Sequence, residues 1–269
     1  MPANLKKIID IIDEIAPFSL AEKWDNSGLQ IGSSDMDITK MLVALDPTME
    51  TLKTALAVNA QVIITHHPLL FHPISQIDIN SFPGCFIHKA IKNNIALVAA
   101  HTNLDNAKMG INQFLAIKLG LNECEILEPK ELNGIAGYGL GIIGSLAEPT
   151  DLNSYAIKVK ECLNTKTVRV TGPGNSAVRR IACVGGSGRG YIAKAKEKGA
   201  DLIVTGDIGH HDALNARALG INVIDAGHFY TERSALTGFI GQMKEKLTAQ
   251  GIEVMIDFFT DETDPVRIL

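Results

Sequence analysis

At 269 residues, 46% of them hydrophobic, the chain is long enough for one large or two moderate α/β domains, each with a proper core. A formal net charge of -5 and a pI near 5.9 leave no broad basic surface. That argues against a protein that grips nucleic acid mainly through its phosphates, although a local phosphate pocket stays open. No apolar run approaches the ~18 residues a membrane span needs, and Met1 to Lys7 open an amphipathic helix rather than an apolar signal segment, so a cytoplasmic protein is expected.

In chain order, Asn4 is placed to cap a helix whose Leu5, Ile8, Ile9, Ile12 and Ile15 form an apolar face, ended by Pro17. A turn-rich segment, Trp24-Asp-Asn-Ser-Gly28, follows. The pattern then becomes regular: strand 41–46, helix 49–59, strand 61–65, helix 83–93, strand 95–100, helix 110–120. Strands separated by helix-length segments imply parallel βαβ units with right-handed crossovers. A second series begins with a strand in 138–144, a helix at 151–163, strands near 167–171 and 180–184 and a helix at 190–198. It closes with strand 201–205, helix 211–219, strand 221–225 and a long helix at 229–249.

The expected fold is therefore two α/β domains, each around a central, mostly parallel or mixed sheet. The first spans 1–125, completed by a helix and strand in 226–269, and the second spans 126–225. Residues 41–65 align without a gap to 181–205, with Ala55/Ala195, Ala60/Ala200 and Thr65/Thr205 identical. A duplication and a merely shared βαβ grammar both account for so few identities. Two such halves are expected to bring their strand ends together on a shared metal site.

Chemistry concentrates at strand ends, where open α/β sheets gather ligands. His66-His67-Pro68 follows strand 61–65, His101 follows strand 95–100 with Asp105 four residues on, and His228 follows strand 221–225 with Glu232 four residues on. Adjacent strand residues point to opposite faces, so His66 and His67 converge only if the strand has ended, and Pro68 keeps His67 extended. On a helix, His228 and Glu232 share one face, and a glutamate, unlike an imidazole, has two oxygens with which to bridge two ions. Nitrogen and oxygen ligands without cysteine suit Zn, Fe, Mn, Co or Ni, and the sequence does not choose among them. Taken singly, each of these histidines is better explained as a polar turn residue paired with a carboxylate; four at strand ends point to a metal site.

Other features are less decisive. Asp207, His210 and His211 also follow a strand and read either as groups supporting a ligand or as a solvated Gly-rich loop. Gly185-Gly-Ser-Gly-Arg-Gly190 reads as a tight βα turn before a phosphate cradle, since it matches neither GxGxxG nor a P-loop. His72 and His88 read as surface or supporting residues. Cys85, Cys124, Cys162 and Cys183 show no CxxC spacing and read as reduced, mostly buried thiols.

Together, Trp24-Asp-Asn-Ser-Gly-Leu29, Ile64-Thr-His-His-Pro-Leu69, Ala100-His-Thr-Asn-Leu-Asp105, Thr205-Gly-Asp207 and Gly227-His-Phe-Tyr-Thr-Glu232 resemble the motifs of the Nif-three-like family of dinuclear metal proteins, many labelled GTP cyclohydrolase 1 type 2 homolog. The resemblance implies two divalent metal ions per subunit held by His66, His67, Asp105, His228 and Glu232, with Glu232 bridging, and His101 beside them as a proton carrier or supporting residue. It implies a homo-hexameric ring with the metals facing inward. The expected function is hydrolysis of a nucleotide-like or phosphorylated small molecule, cyclohydrolase-like by resemblance only. The alternative is a non-catalytic metal-binding or regulatory ring.

Overall fold

The computed structural model describes residues 3–132 and 135–268. The chain divides into two compact units, Met1–Ala107 with Phe239–Leu269, and Lys108–Gly238. These boundaries differ from the expected 125/126 and 225/226, and packing gives the reason. Helix Ile111–Lys118 sends Leu115 and Ala116 into the core of the second sheet, so the chain has already changed units before residue 111.

In the first unit, five strands lie in the order Met255–Phe258, Lys40–Ala44, Val62–Thr65, Ala96–Ala99, Gly28–Ile31. The first four are parallel and the last is antiparallel. Residues alternate between faces. Leu42, Ala44, Ile63 and Leu97 pack against Leu52 and Ala55 of helix Met49–Ala57 and Phe86 and Ala90 of helix Gly84–Lys92. Met41, Val43, Val62, Ile64 and Val98, on the opposite face, are equally buried. Helix Leu5–Ile15 starts as expected, with the Asn4 side chain accepting from Lys7 N at 3.0 Å. Its buried stripe is Leu5, Ile8, Ile11 and Ile12, so Ile11 replaces the expected Ile9 and Ile15, which are only half-buried. Met1 and Pro2, read as part of that helix opening, lie outside the described residues.

The second unit holds a six-stranded sheet in the order Asn122–Leu132, Ile135–Asp151, Ala177–Ser187, Leu202–Gly206, Asn222–Asp225, Arg169–Thr171. Its three consecutive strands from Ala177–Ser187 to Asn222–Asp225 are parallel, and the rest pair antiparallel. Apolar clusters lie on both faces. Ile181, Cys183, Leu202 and Val204 join Leu152, Tyr155 and Val159 of helix Leu152–Leu163, while Ala182, Val184, Ile203 and Val223 join Ile192, Ala195 and Ala216. The cysteines are free, but only Cys183 is fully buried, and burial pushes its thiol far above the ordinary value.

The gap-free alignment of 41–65 with 181–205 holds in three dimensions. Met41 pairs with Val62 as Ile181 pairs with Leu202. Ala60 N donates to Ala55 O at 2.9 Å, and Ala200 N donates to Ala195 O at 2.9 Å. Asn59 and Gly199 both take the left-handed conformation that ends the helix. The shared alanines thus stand where the same helix ending is made twice. Among the described residues, no helix is long and apolar enough to cross a membrane.

Phe86 is fully buried between helix and sheet. Phe86→Ala is expected to destabilise the protein by about 3–5 kcal/mol through lost burial and a residual cavity. A shift of the denaturant midpoint at unchanged m-value measures it.

Candidate metal centre

In the first unit, parallel strands end side by side, and the residues just beyond them carry the chemistry. Strand Val62–Thr65 runs into His66 and His67, strand Ala96–Ala99 into His101, and strand Lys40–Ala44 into Asp46. The backbone bends after Thr65, so the two adjacent imidazoles come to the same side, with ring centroids 5.0 Å apart. The His101 ring lies 5.2 Å from that of His66 and 5.5 Å from that of His67. One ligand nitrogen from each of the three falls within 4.8 Å of the others, a grouping able to hold an ion. Asp105, on the short helix Thr102–Asn106, brings Oδ1 to 3.6 Å from His66 Nε2.

Each of these rings is fixed through Nδ1. His66 Nδ1 lies 2.8 Å from the Ala100 carbonyl, His67 Nδ1 2.7 Å from Asp46 Oδ1, and His101 Nδ1 2.7 Å from Asp25 Oδ1. Carbonyl and carboxylate oxygens only accept, so Nδ1 carries the proton and Nε2 carries the lone pair, the tautomer that metal-binding histidines use. Asp25 is itself held by Ser27 Oγ at 2.7 Å and by Thr102 Oγ1 and N at 2.5 and 3.1 Å. Burial raises its pKa, but the His101, Thr102 and Ser27 hydrogen bonds more than offset that and hold the carboxyl well below the usual carboxylate range.

Sequence reasoning passed over Asp25 and Asp46. Asp25 stands in a segment read as turns and as part of a family motif, with no role given to the aspartate, because the following strand, Gly28–Ile31, is a short edge strand that periodicity does not reveal. That strand is antiparallel to Ala96–Ala99, with Gly28 opposite Ala99, so its incoming loop arrives at the edge where the parallel strands end. The Trp24-Asp-Asn-Ser spacing was the available signal.

In the second unit, His228 opens helix His228–Ala249 and Glu232 lies one turn on, with Nε2 and Oε2 3.1 Å apart as the i, i+4 spacing predicts. Asp207 Oδ2 holds His228 Nδ1 at 2.7 Å, the supporting role that sequence left open for it. Buried Asp225 ties the two loops down, accepting from Ile208 N at 3.1 Å, Gly227 N at 3.0 Å and Arg169. His210 and His211 begin helix His210–Leu219, exposed, with their rings edge to face at 5.5 Å. His72 and His88 are exposed.

The glycine-rich loop is neither a phosphate cradle nor only a turn. The amides of Gly185, Gly186 and Gly188 donate to Asn112, Thr231 and Thr205 side chains. At Gly186, with φ +63°, an added Cβ would stand 2.1 Å from Glu232 Oε1 and 3.1 Å from His228 Nε2. The loop therefore makes room for a carboxylate–imidazole pair.

Residues 3–265 match the DUF34/NIF3 (NGG1p interacting factor 3) family. The chain belongs to that family. A Clostridium perfringens relative named GTP cyclohydrolase 1 type 2 homolog is 40% identical over 244 residues, covering 91% of this chain and 92% of its own. A Bacillus cereus protein related to NIF3 superposes with a TM-score of 0.94 at 31% identity, covering 99% of both chains. The reduced HcgD of Methanocaldococcus jannaschii gives 0.79 at 31% identity, covering 97% of this chain and 99% of its own. The NIF3 member described here thus shares its mixed α/β architecture with solved relatives along nearly its whole length.

Two outcomes test this geometry. Gly186→Ala is expected to displace the Glu232 carboxylate and lower bound metal while leaving the far-UV circular dichroism spectrum unchanged; metal content equal to wild type would contradict the cradle. Asp25 has a folded pKa below its ordinary 3.8, so its stabilisation is present above that value and is lost as pH falls through the folded value. Wild type should therefore exceed Asp25→Asn in stability near neutral pH, with the gap narrowing below about pH 4, as denaturation at stepped pH would read.

Proposed function

We propose that this NIF3-family chain is a metal-dependent hydrolase of a nucleotide-like or phosphorylated small molecule, with two divalent ions held by His66, His67, Asp105, His228 and Glu232. The observation that carries the reading is the set of histidines whose Nδ1 atoms are engaged by fixed oxygens, with the ligand nitrogens of His66 and His67 close together and that of His101 beside them. Such buttressing makes each Nε2 a directed donor. That the first unit's ligands and the His228–Glu232 pair serve one centre, with Glu232 bridging, rests on the family resemblance. The name GTP cyclohydrolase 1 type 2 homolog, borne by relatives, suggests the nucleotide class.

Ions bound there would supply Lewis acidity and lower the pKa of water toward neutrality. The chain's own residues do the rest. Asp25 keeps the proton on His101 Nδ1 and orients the ring, so Nε2 could take a proton from the attacking water and return it to the leaving group. His66 and His67 are oriented before any ligand arrives, which removes a reorganisation cost from the reaction. The proposed assembly is a homo-hexamer in the cytoplasm, and exposed Ile77, Ile79 and Phe82 offer apolar surface for subunit contacts. Light scattering that returned a monomer would remove the ring and leave the metal argument standing.

Metal analysis of natively purified protein should find about two ions per chain, falling to one or fewer in Glu232→Ala, because a bridging carboxylate serves both. Unchanged content would remove the bridge. With the native metal restored, a screen over nucleotides and phosphoesters should reveal hydrolysis. His101→Ala should retain most of the metal and lose roughly 10²-fold or more in turnover, the usual scale of proton-transfer catalysis. Full metal with no turnover on any substrate would favour the non-catalytic alternative.

A further inference from the structure

We propose that Glu262, in the C-terminal segment, is a positioning residue for His67, acting through Asp46. The inference rests on reading His67 as a metal ligand and adds to the machinery that orients it a residue 216 positions from Asp46 in sequence.

Strand Lys40–Ala44 is flanked on one side by Met255–Phe258, and that backbone pairing ends with Phe259 N donating to Val43 O at 2.9 Å. Beyond this point Leu45 and Asp46 continue past the strand end, and their N–H groups require acceptors. The Glu262 carboxylate supplies them. Leu45 N donates to its two oxygens at 3.1 and 2.9 Å, and Asp46 N donates to Oε1 at 2.8 Å. A side chain thus replaces the carbonyls of a neighbouring strand.

On the other side of Asp46, its carbonyl accepts from Thr48 N at 3.0 Å and Thr51 Oγ1 at 2.7 Å, while His67 N donates to Leu45 O at 3.0 Å. The backbone around Asp46 is therefore held from both sides, and its carboxylate is delivered to His67 Nδ1 at 2.7 Å. Without Glu262, two N–H groups lose charge-assisted bonds and the aspartate is fixed from one side only. The same tail walls a cavity of about 550 Å³ onto which His67, Asp46 and Glu262 all open.

Glu262→Gln keeps the shape, removes the charge and turns one acceptor into a donor facing an N–H. In metal-free protein, the downfield His67 Nδ1–H resonance should be present in wild type and broadened or shifted in Glu262→Gln, whether or not metal binding is later confirmed. In Co(II) titrations of the full chain, Glu262→Gln should bind on the order of tenfold more weakly with an altered visible spectrum, and Asp46→Asn should do likewise. The double variant should be no worse than Asp46→Asn alone, because the first residue acts through the second. Glu262→Asp, which retains the charge, should fall between wild type and Glu262→Gln and supplies the same readouts if Glu262→Gln fails to fold. A wild-type resonance and spectrum in the variant, or additive losses in the double variant, would overturn the proposal. Failure of wild type to bind Co(II) would instead sink the metal reading, leaving the resonance to decide the role of Glu262.

Discussion

An imidazole is a directed ligand only when its second nitrogen is held. His66, His67, His101 and His228 each meet that condition through a carbonyl or carboxylate 2.7 to 2.8 Å from Nδ1. The constraint reaches outward from there, since Asp25 accepts from Ser27 and Thr102, and the Asp46 N–H donates to Glu262. Sheet order, loop length and glycine placement are all consistent with keeping those oxygens in place.

The two units apply the same local geometry to different ends. Their aligned strand–helix–strand segments share register and helix ending, yet the next two aligned positions differ, His66-His67 in one and Gly206-Asp207 in the other. In the first unit the strand end itself carries candidate ligands. In the second it carries the carboxylate that orients His228, and Gly206 has no side chain because a Cβ there would lie 2.5 Å from His228 N. A common scaffold thus separates the role of ligand from that of support, one residue position at a time.

Much of this was legible in the sequence. Long periodic helices, apolar strands and the His-containing motifs at strand ends were found with small errors at their boundaries, because each is set by residues close in the chain. Strand Asn122–Leu132 was missed, since it is an edge strand rich in charge and carries Pro129, a residue tolerated there because an edge has unpaired positions. The chain changes units at 107/108 rather than 125/126 because helix Ile111–Lys118 places Leu115 and Ala116 in the second unit's core, a packing choice that its local pattern does not specify.

By itself the sequence determined the βαβ grammar, the family and the residue types available for ligation, all of which depend on local pattern and spacing. It did not determine which oxygen holds which ring. Asp25 meets His101 across 76 positions, Asp46 meets His67 across 21, and Glu262 meets Leu45 across 217. Those pairings follow from sheet order, from an antiparallel edge strand whose loop enters beside the parallel strand ends, and from a C-terminal strand that returns to the first sheet. Hydrogen bonds between groups so far apart in the chain carry no sequence period, so only the tertiary structure decided them.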